Sequence, residues 1–244
     1  MSKCLLILGA RSDIAAACAH EFAADGFDLI LAARNSQNLV SSISDYEIRH
    51  QVKVYAAEFD AADTASHAAF YTELPTKPDV VLYAIGTLGD QKVSENEWPE
   101  AEKVIVSNYT GAVSILSVVA NDFEARNAGS IIGISSVAGD RGRQSNYLYG
   151  SAKAGFTAFM AGLRHRLAGT NVNVLTVKPG FVDTKMTNGI ALPKMLTAKP
   201  SKLAKAIIKA HKSGKYTLYY LPIWRQIMFA VRSVPEFIFV KSKM

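Results

Sequence analysis

The chain has 244 residues, a length that fits one α/β domain better than two and that can bury a sizeable core. Hydrophobic residues make up 49% of it and charged residues 20%, which excludes an intrinsically disordered protein. With 27 basic and 21 acidic residues the net charge is +6, which favours an anionic ligand or a membrane surface as partner. The sequence has no long basic run and no basic–aromatic alternation, so it does not indicate a nucleic-acid partner.

The two cysteines, Cys4 and Cys18, lie within apolar stretches and have the spacing of neither a disulfide framework nor a metal site. We therefore expect two buried thiols and no metal. The apolar run at the N-terminus is too short for the core of a signal peptide. No stretch of eighteen uninterrupted apolar residues is long enough to span a bilayer. These features predict a cytoplasmic protein.

Short apolar runs alternate with longer helical patterns, an order typical of βαβ units and a parallel sheet. The predicted strands are Cys4–Leu8, Asp28–Ala33, Val52–Ala56, Val80–Ala84, Ser130–Ser135, Asn173–Val177 and Tyr216–Leu221. The predicted helices are Ile14–Ala24, Leu39–Glu47, Ala65–Glu73, Glu100–Phe123, Tyr147–Ala168 and Ser201–Ser213. Together they predict an α/β fold, a single doubly wound parallel sheet of about seven strands with helices on both faces. Ligands of such a sheet bind at the carboxyl ends of its strands.

Two segments interrupt this alternation. The stretch Phe181–Pro200, rich in Thr, Lys, Gly and Pro, predicts a long loop that acts as a lid over a substrate. Residues 222–244 follow the predicted domain of residues 1–221. Their apolar side chains fall on one side of a helix and Arg225 and Arg232 on another, which predicts an amphipathic tail. Such a tail lies on a membrane surface or packs on the protein itself, and the sequence leaves both open.

The turn Gly9–Ala15 joins the first strand to the first helix, where backbone N–H groups and the helix N-terminus bind a pyrophosphate. Glycine permits the tight turn, and the alanine lets the helix approach the sheet closely. The alternative is a plain strand–turn–helix corner in which an aspartate caps the helix. The candidate cofactor contacts here are Gly9, Arg11, Ser12, Asp13 and Ile14.

The second strand ends in Arg34, with no acidic residue at its tip to accept a hydrogen bond from a ribose 2′-hydroxyl. An arginine suits a 2′-phosphate instead, and Arg11 is placed to bind the same anion. Taken alone, each is as readily a solvated surface arginine. Together they favour NADP over NAD as cofactor.

Tyr149 and Lys153, four residues apart on a predicted helix, project from the same face. At a separation of about 4 Å and an effective dielectric of about 20, the ammonium would stabilise the phenolate by about 4 kcal/mol. We therefore expect the pKa of Tyr149 to fall, by about three units at most, which suits acid–base chemistry on a carbonyl. The spacing alone is common by chance, but Ser136 lies thirteen residues upstream.

With further motifs, these residues resemble the short-chain dehydrogenase/reductase family over nearly the whole chain. The motifs that carry the resemblance are Gly9–Ala15, Asp60, Asn108–Gly111, Ser135–Gly139, Tyr149–Lys153 and Pro179–Thr184. The chain departs from the family pattern at Asp13 and Ala15, which replace glycines. It departs again at Tyr83–Gly86, which replaces Asn-Asn-Ala-Gly and includes the candidate cofactor contacts Ala84 and Gly86. The resemblance implies a Rossmann-type fold.

The resemblance also implies a mechanism. Tyr149 would give a proton to a ketone oxygen while NADPH delivers hydride to the carbon. Lys153 would hold the nicotinamide ribose, Ser136 would hydrogen-bond the developing alkoxide, and Asn108 would position a water in a proton relay. Asp60 would contact the adenine. The remaining implied cofactor contacts are Pro179, Gly180, Val182 and Thr184. Long helices commonly form subunit interfaces in this family, which implies a homo-oligomer.

Besides the amphipathic tail, two features bear on the substrate. Arg141 and Arg143 lie between Ser136 and Tyr149, where they predict a clamp for a phosphate group or form a solvated turn. Several strings resemble the subgroup that reduces a decaprenylphosphoryl-linked 2-keto-pentose in the formation of lipid-linked arabinose. These strings are Ile85–Asp90, Asn108–Thr110, Gly139–Arg143 and Pro222–Pro235.

This subgroup resemblance implies a polyprenyl-phosphate substrate, peripheral contact of the tail with the inner membrane surface, and a partner oxidase that supplies the ketone. Two alternatives stay open. One is reduction of another ketone, such as a 3-oxoacyl or small carbonyl compound. The other is a non-catalytic NADP-binding protein, which the complete set of catalytic residues disfavours.

Overall fold

The computed structural model describes residues 2–242; residues 1, 243 and 244, which include the last two positions of the predicted tail, lie outside the described part. The strands are β1 (Cys4–Leu8), β2 (Asp28–Ala33), β3 (Val54–Glu58), β4 (Val80–Tyr83), β5 (Gly129–Ile134), β6 (Val172–Pro179), β7 (Phe181–Val182), β8 (Thr197–Ala198) and β9 (Thr217–Tyr220). Seven of them form a parallel sheet in the order β3-β2-β1-β4-β5-β6-β9. The predicted doubly wound sheet is therefore confirmed.

The helices are α1 (Asp13–Ala24), α2 (Val40–His50), α3 (His67–Thr72), α4 (Gln91–Ser94), α5 (Trp98–Ile105), α6 (Gly111–Arg126), α7 (Tyr147–Arg166), α8 (Pro200–Lys212), α9 (Ile223–Ser233) and α10 (Glu236–Phe239). Residues 106–110 join α5 to α6 as a wider, π-helical turn. The predicted helix Glu100–Phe123 therefore runs from Trp98 to Arg126, and the sequence did not predict α4.

The strands of the sheet centre are apolar at every position because both faces of the sheet are covered. In β1, Leu5 and Ile7 point towards α1 and α8, whereas Leu6 and Leu8 point towards α6 and α7. Cys4 and Cys18 are buried free thiols, as predicted, and burial raises the pKa of each to about 12.

Within the described residues, the continuous helix Trp98–Arg126 is long and apolar enough to cross a membrane by length and composition. Its apolar residues Ile115, Leu116, Val119 and Phe123 are fully buried in the layer between α6 and the sheet. Packing of this face on the sheet accounts for the apolar composition of the helix.

The two segments that interrupted the predicted alternation are more ordered than expected. The predicted loop Phe181–Pro200 contains β7 and β8, which pair in parallel, and the N–H of Asp183 donates to the carbonyl of Ala198 at 2.9 Å. In the tail, Trp224 and Met228 of α9 are buried against Val137. The inner face of the tail therefore packs on the domain.

Candidate active site

The carboxyl ends of β1, β2 and β4 open onto a cavity of ≈ 730 Å³. This is the position at which open α/β sheets bind their ligands. The cavity brings together most of the cofactor contacts predicted from the sequence. Its lining includes Gly9, Arg11, Ser12, Asp13, Ile14, Arg34, Asp60, Ala84, Gly86 and Thr184.

The turn after β1 has the backbone that a pyrophosphate cradle needs. Gly9 has φ +94°, and a Cβ there would lie 2.7 Å from the side chain and 2.9 Å from the backbone nitrogen of Ile85. Helix α1 begins at Asp13, so its free N–H groups face the cavity. Only glycine therefore fits where the turn packs against Ile85, and the free N–H groups of the helix beside it fit a dinucleotide phosphate.

Asp13 does not cap α1, which corrects the alternative considered for this turn. The cap position is Ser12, and no side chain caps the helix there. The carboxylate of Asp13 instead accepts a hydrogen bond from the backbone N–H of Lys185 at 2.7 Å. The first turn of α1 is thereby joined to the segment that follows β7.

The two arginines at the cavity are exposed, and neither Arg11 nor Arg34 hydrogen-bonds or ion-pairs with any other described residue. Beside them, the carboxylate of Glu58 accepts the N–H groups of Asn35 and Ser36, each at 2.8 Å. Glu58 thus holds the turn that carries Arg34 while leaving its guanidinium free. Arg34 after β2 and Arg11 in the turn after β1 therefore give one cavity two guanidinium groups with no partner among the described residues, which fits a 2′-phosphate.

Asp60 is held in place by a residue that the sequence did not point to. His67 is buried, with one ring nitrogen 3.0 Å from the carbonyl oxygen of Asp60 and the other 2.8 Å from the hydroxyl of Ser114. The Asp60 carboxylate accepts the N–H of Ala62 at 3.0 Å. These contacts fix the loop after β3 along the cavity wall.

A second cavity of ≈ 370 Å³ adjoins the first, and Ile14, Gly86 and Thr184 line both. The structure brings Ser136, Tyr149 and Lys153 together on its wall. Of the remaining predicted cofactor contacts, Pro179, Gly180 and Val182 line this cavity too.

Lys153 is almost completely buried, with 3% of its surface exposed, and its Nζ donates to the carbonyl of Ile134 at 3.0 Å. The same Nζ lies 5.8 Å from the centre of the Tyr149 ring. The one-turn spacing on α7 therefore places the lysine nitrogen beside the phenol. The hydrogen bond from this nitrogen to the Ile134 carbonyl, at the end of β5, fixes its distance from the ring.

The predicted fall in the pKa of Tyr149 is wrong for the ligand-free protein. Burial raises the pKa of Tyr149 to about 12, and the nearby Ser136 hydroxyl opposes this rise. Burial also lowers the pKa of Lys153 to about 7, so near neutral pH the lysine is not a full positive charge. Desolvation disfavours the charged form of both groups and is the largest cause of both shifts in pKa.

Asn108 is fully buried in the π-helical turn between α5 and α6, a type of turn often found at functional sites. Its Nδ2 donates to the carbonyls of Thr87 at 2.7 Å and Val104 at 2.8 Å, whereas its Oδ1 has no partner among the described residues. A Cβ on Gly86 would lie 2.6 Å from this Oδ1 and 3.2 Å from Nζ of Lys153. An orphaned buried acceptor beside an ammonium fits the implied water relay.

The relative position of Ser136 and α7 depends on residues outside the predicted catalytic set. The hydroxyl of Ser135 lies 2.7 Å from that of Thr157 and donates to the carbonyl of Lys153 at 3.1 Å. Gly139 passes so close to α7 that a Cβ there would lie 2.7 Å from the Lys153 backbone. These contacts join the end of β5 to the helix that carries the tyrosine and the lysine.

The predicted two-arginine clamp is corrected, because Arg141 does not reach the cavity. Its guanidinium donates to the carbonyls of Val231 at 2.8 Å and Val234 at 2.6 Å. It also pairs with the carboxylate of Glu236 at 2.7 Å and lies 3.8 Å from the centre of the Phe239 ring. Arg141 therefore attaches the tail to the domain.

Arg143 does line the cavity, and no carboxylate of the described residues pairs with it. The nearby acid Asp140 is already bound to Lys178 and to the hydroxyl of Tyr219. The Arg143 guanidinium donates to the sulfur of Met228 at 3.5 Å. Burial without a partner lowers the pKa of Arg143, so an anion in the cavity would stabilise its charged form.

The tail supplies one wall of this cavity, which the sequence did not predict. Trp224 of α9 lies directly over Gly180, where a Cβ would be 2.0 Å from the indole ring. Its Nε1 donates to the carbonyl of Leu196 at 3.3 Å. The other apolar lining residues include Leu88, Phe181, Met186, Ile190 and Leu192.

Comparison with known proteins agrees with this geometry. Residues 3–194 match the family model described as short chain dehydrogenase. The chain belongs to the short-chain dehydrogenase/reductase family and is an oxidoreductase of that family. The predicted family is thus confirmed.

Among its relatives, an uncharacterized oxidoreductase of Mycobacterium tuberculosis is 35% identical over 237 residues, covering 96% of this chain and 94% of the relative. An uncharacterized oxidoreductase of Streptomyces coelicolor is 36% identical over 241 residues, covering 97% and 94%. A short-chain dehydrogenase from Sphingobium yanoikuyae, solved in complex with NADPH, has a TM-score of 0.82 at 22% identity, covering 96% of this chain and 97% of that one. At this identity the likeness supports the fold.

Proposed function

We propose that this protein reduces a ketone to an alcohol, using hydride from bound NADPH and a proton from Tyr149. One observation carries the proposal: Ser136, Tyr149 and Lys153 line a single cavity that adjoins the one at the carboxyl ends of β1 and β2. A binding protein has no need of a tyrosine, a buried lysine and a serine together on the wall of one cavity.

The bound dinucleotide would supply the hydride chemistry. The raised pKa of Tyr149 keeps its phenol protonated at neutral pH, so it is available as a proton donor. A developing alkoxide is a stronger base than a phenolate, which favours proton transfer to it in the direction of reduction. Ser136 would donate a second hydrogen bond to the same oxygen and stabilise its charge.

Lys153 has a holding role in this proposal. Its Nζ bonds the Ile134 carbonyl and lies beside the orphaned Oδ1 of Asn108, which leaves it placed to donate to a ribose hydroxyl. Proton supply to Tyr149 would run through the ribose, Lys153 and the Asn108 site.

The preference for NADPH over NADH is part of the proposal. The guanidinium groups of Arg11, after β1, and Arg34, after β2, line the same cavity, and neither pairs with a carboxylate of the described residues that would compete with a 2′-phosphate. The related fold from Sphingobium yanoikuyae was solved with NADPH.

The substrate that fits the second cavity is a ketone with an anionic group and an apolar arm. Arg143 provides an unpaired cation, and most of the remaining lining is apolar. A polyprenyl-phosphate-linked 2-keto-pentose carries both features and is our first candidate. A partner oxidase would then supply the ketone on the cytoplasmic side of the membrane. A 3-oxoacyl compound is the alternative substrate.

By analogy with the family, we also propose that the protein forms a homo-oligomer through its long helices.

Replacement of Tyr149 by Phe tests the reaction, with Tyr147→Phe as a matched control on the same helix. Tyr147 lies outside the lining of both cavities and is 43% exposed. We expect Y149F to lose about 10²-fold or more in kcat for NADPH oxidation with a panel of ketones, and Y147F to keep it. NADPH binding by fluorescence should survive in both. Retention of turnover by Y149F would refute the catalytic assignment.

A further inference from the structure

The charges of this chain are separated along its length. Residues 1–180 hold 15 basic and 19 acidic residues, a net charge of −4, whereas residues 181–244 hold 12 basic and 2 acidic ones, a net charge of +10. One of those two acids, Glu236, is paired with Arg141. The C-terminal quarter is thus a cationic part on an otherwise slightly acidic protein, which favours an anionic partner for that part.

The outer face of helix α9 is exposed and is not packed against the domain. Trp224 and Met228 face inward, whereas Arg225, Phe229 and Arg232, at helical spacings of four and three residues, are all exposed. The Phe229 side chain is 76% exposed. A phenylalanine in water between two arginines is the pattern of an interfacial helix, with an apolar group to insert and cations to meet head groups.

The short helix α10 extends this face. Phe239 is buried under the Arg141 guanidinium, and this contact leaves its neighbours Phe237, Ile238 and Val240 pointing outward. Phe237 is 70% exposed and Val240 67%. Arg141 also binds the carbonyls at the end of α9, so the exposed apolar groups are held on a fixed scaffold.

The helix that carries the exposed face, α9, also lines the catalytic cavity through its inner face. Trp224 lines that cavity from inside α9 and bonds the carbonyl of Leu196. The segment before Leu196 adds two cavity-lining residues that are half-exposed, Met186 and Ile190, and Met195, which is almost fully exposed. The segment that carries these exposed apolar side chains is therefore joined to α9 at the cavity wall.

We propose that the docking surface, formed by Arg225, Phe229, Arg232, Phe237, Ile238 and Val240, binds an anionic lipid bilayer with the cavity mouth turned towards the lipid. A second copy of the chain is the less favourable occupant, because a two-fold contact through this surface would bring like-charged arginines together. An anionic bilayer is complementary to both the arginines and the apolar side chains of this surface. Its head groups neutralise the arginines, and its acyl region accepts the exposed apolar side chains. Docking does not depend on the identity of the ketone.

The test is flotation of the full chain with vesicles of phosphatidylcholine alone and with added phosphatidylglycerol. We expect binding only to the anionic vesicles and a decrease with salt. R225Q/R232Q should weaken binding by about fivefold per arginine, and F229Q/F237Q should weaken it by tenfold or more.

Two matched controls separate oriented docking from general attraction. K202Q/K209Q removes two exposed lysines from α8, the same charge as the arginine pair, and Ile48→Gln removes an apolar side chain on α2 that is 81% exposed. Both should bind vesicles like the parent protein, and all variants should keep its melting temperature because the positions are exposed.

Three results would overturn the proposal. The first is failure of the intact chain to float with anionic vesicles. The second is that the α8 control loses as much binding as the arginine variant, which would mean that binding depends only on net charge. The third is that F229Q/F237Q changes the oligomeric state in light scattering without lipid, which would make the surface a subunit interface. Turnover of a water-soluble ketone without vesicles is measured in parallel, so that loss of docking is distinguished from loss of the reaction.

Discussion

The carboxylate of Asp13 and the backbone N–H of Lys185 form a 2.7 Å hydrogen bond that joins the first turn of α1 to the segment after β7. The Nζ of Lys185 adds an ion pair of 3.7 Å with the other oxygen of the same carboxylate. Asp13 stands where the family has a glycine, so a negative charge lies beside the phosphate cradle. The contact links the cradle to a segment that lines both cavities.

Removal of this acceptor should loosen the segment after β7. We expect Asp13→Ala to speed amide hydrogen exchange of the peptide that contains Lys185, because about 1 kcal/mol of local hydrogen bonding is lost. Asp13→Asn keeps an acceptor oxygen and should retain most of the protection. Equal exchange in all three proteins, measured by mass spectrometry, would show that the bond does not hold the segment.

The charge of Asp13 should also weaken dinucleotide binding. Asp13→Asn removes a negative charge near the cradle while keeping the hydrogen bond, so NADPH should bind tighter, by about fivefold for about 1 kcal/mol of relieved repulsion. Titration of NADPH fluorescence checks this. An unchanged affinity in the variant would mean that the carboxylate lies too far from the phosphates to matter, and a weaker affinity would mean that the carboxylate favours binding.

The lowered pKa of Lys153 predicts that the free energy of unfolding depends on pH. Its pKa is about 7 in the folded protein, against about 10.4 for an unfolded lysine. Between these values the unfolded chain holds a proton that the folded protein has lost. The free energy of unfolding therefore rises with pH, by at most about 1.4 kcal/mol per unit, and this gain is absent below pH 7.

Urea unfolding of the ligand-free protein at pH 7 and pH 9 checks this sign, with Lys153→Met as reference. The parent protein should gain stability relative to the variant at the higher pH. Parallel changes in the two proteins would mean that the buried lysine keeps its ordinary pKa.

Arg34→Asp tests the cofactor preference. An acid at the tip of β2 accepts from the 2′-hydroxyl of NADH and repels the 2′-phosphate of NADPH. We expect the ratio of the two dissociation constants to shift by about 10²-fold or more towards NADH. Lys209→Asp, the same charge change on α8, should leave the ratio alone. An unchanged ratio in Arg34→Asp would mean that this arginine is only solvated.

Replacement of Arg141 and replacement of Arg143 should have different effects on the protein. Arg143→Met should raise KM for a ketone that carries a phosphate or carboxylate by about 10- to 100-fold, from the loss of one charged hydrogen bond, and leave a neutral ketone unaffected. Arg141→Met should instead expose the tail to limited proteolysis while catalysis of a neutral ketone persists. Matching effects of the two variants on KM would contradict the separate roles.

Much of the fold follows from the sequence because its signals are local. Strands such as β1 are apolar at every position since both faces of a parallel sheet are covered, and the intervening helices are read from their own periodicity. The motifs that identify the family are likewise short stretches of consecutive residues, which can be recognised without the tertiary structure. Boundaries shifted where the tertiary structure extends an element, as in β6, which runs to Pro179 because β9 pairs with it that far.

The roles of single side chains were decided by contacts between distant parts of the chain. Arg141 and Arg143 look equivalent in the sequence, but the bonds that remove Arg141 from the cavity come from residues 90 and more positions further along. The assignment of Trp224 to the cavity wall likewise depends on the return of α9 over Gly180.

The sequence by itself determined the family, the doubly wound sheet and the approach of Tyr149 to Lys153, because helical spacing sets which side chains share a face. Only the tertiary structure decided the protonation of that pair. A pKa sums the desolvation caused by every neighbour, and burial makes the phenol a weaker acid and the lysine a weaker base than their spacing alone predicts.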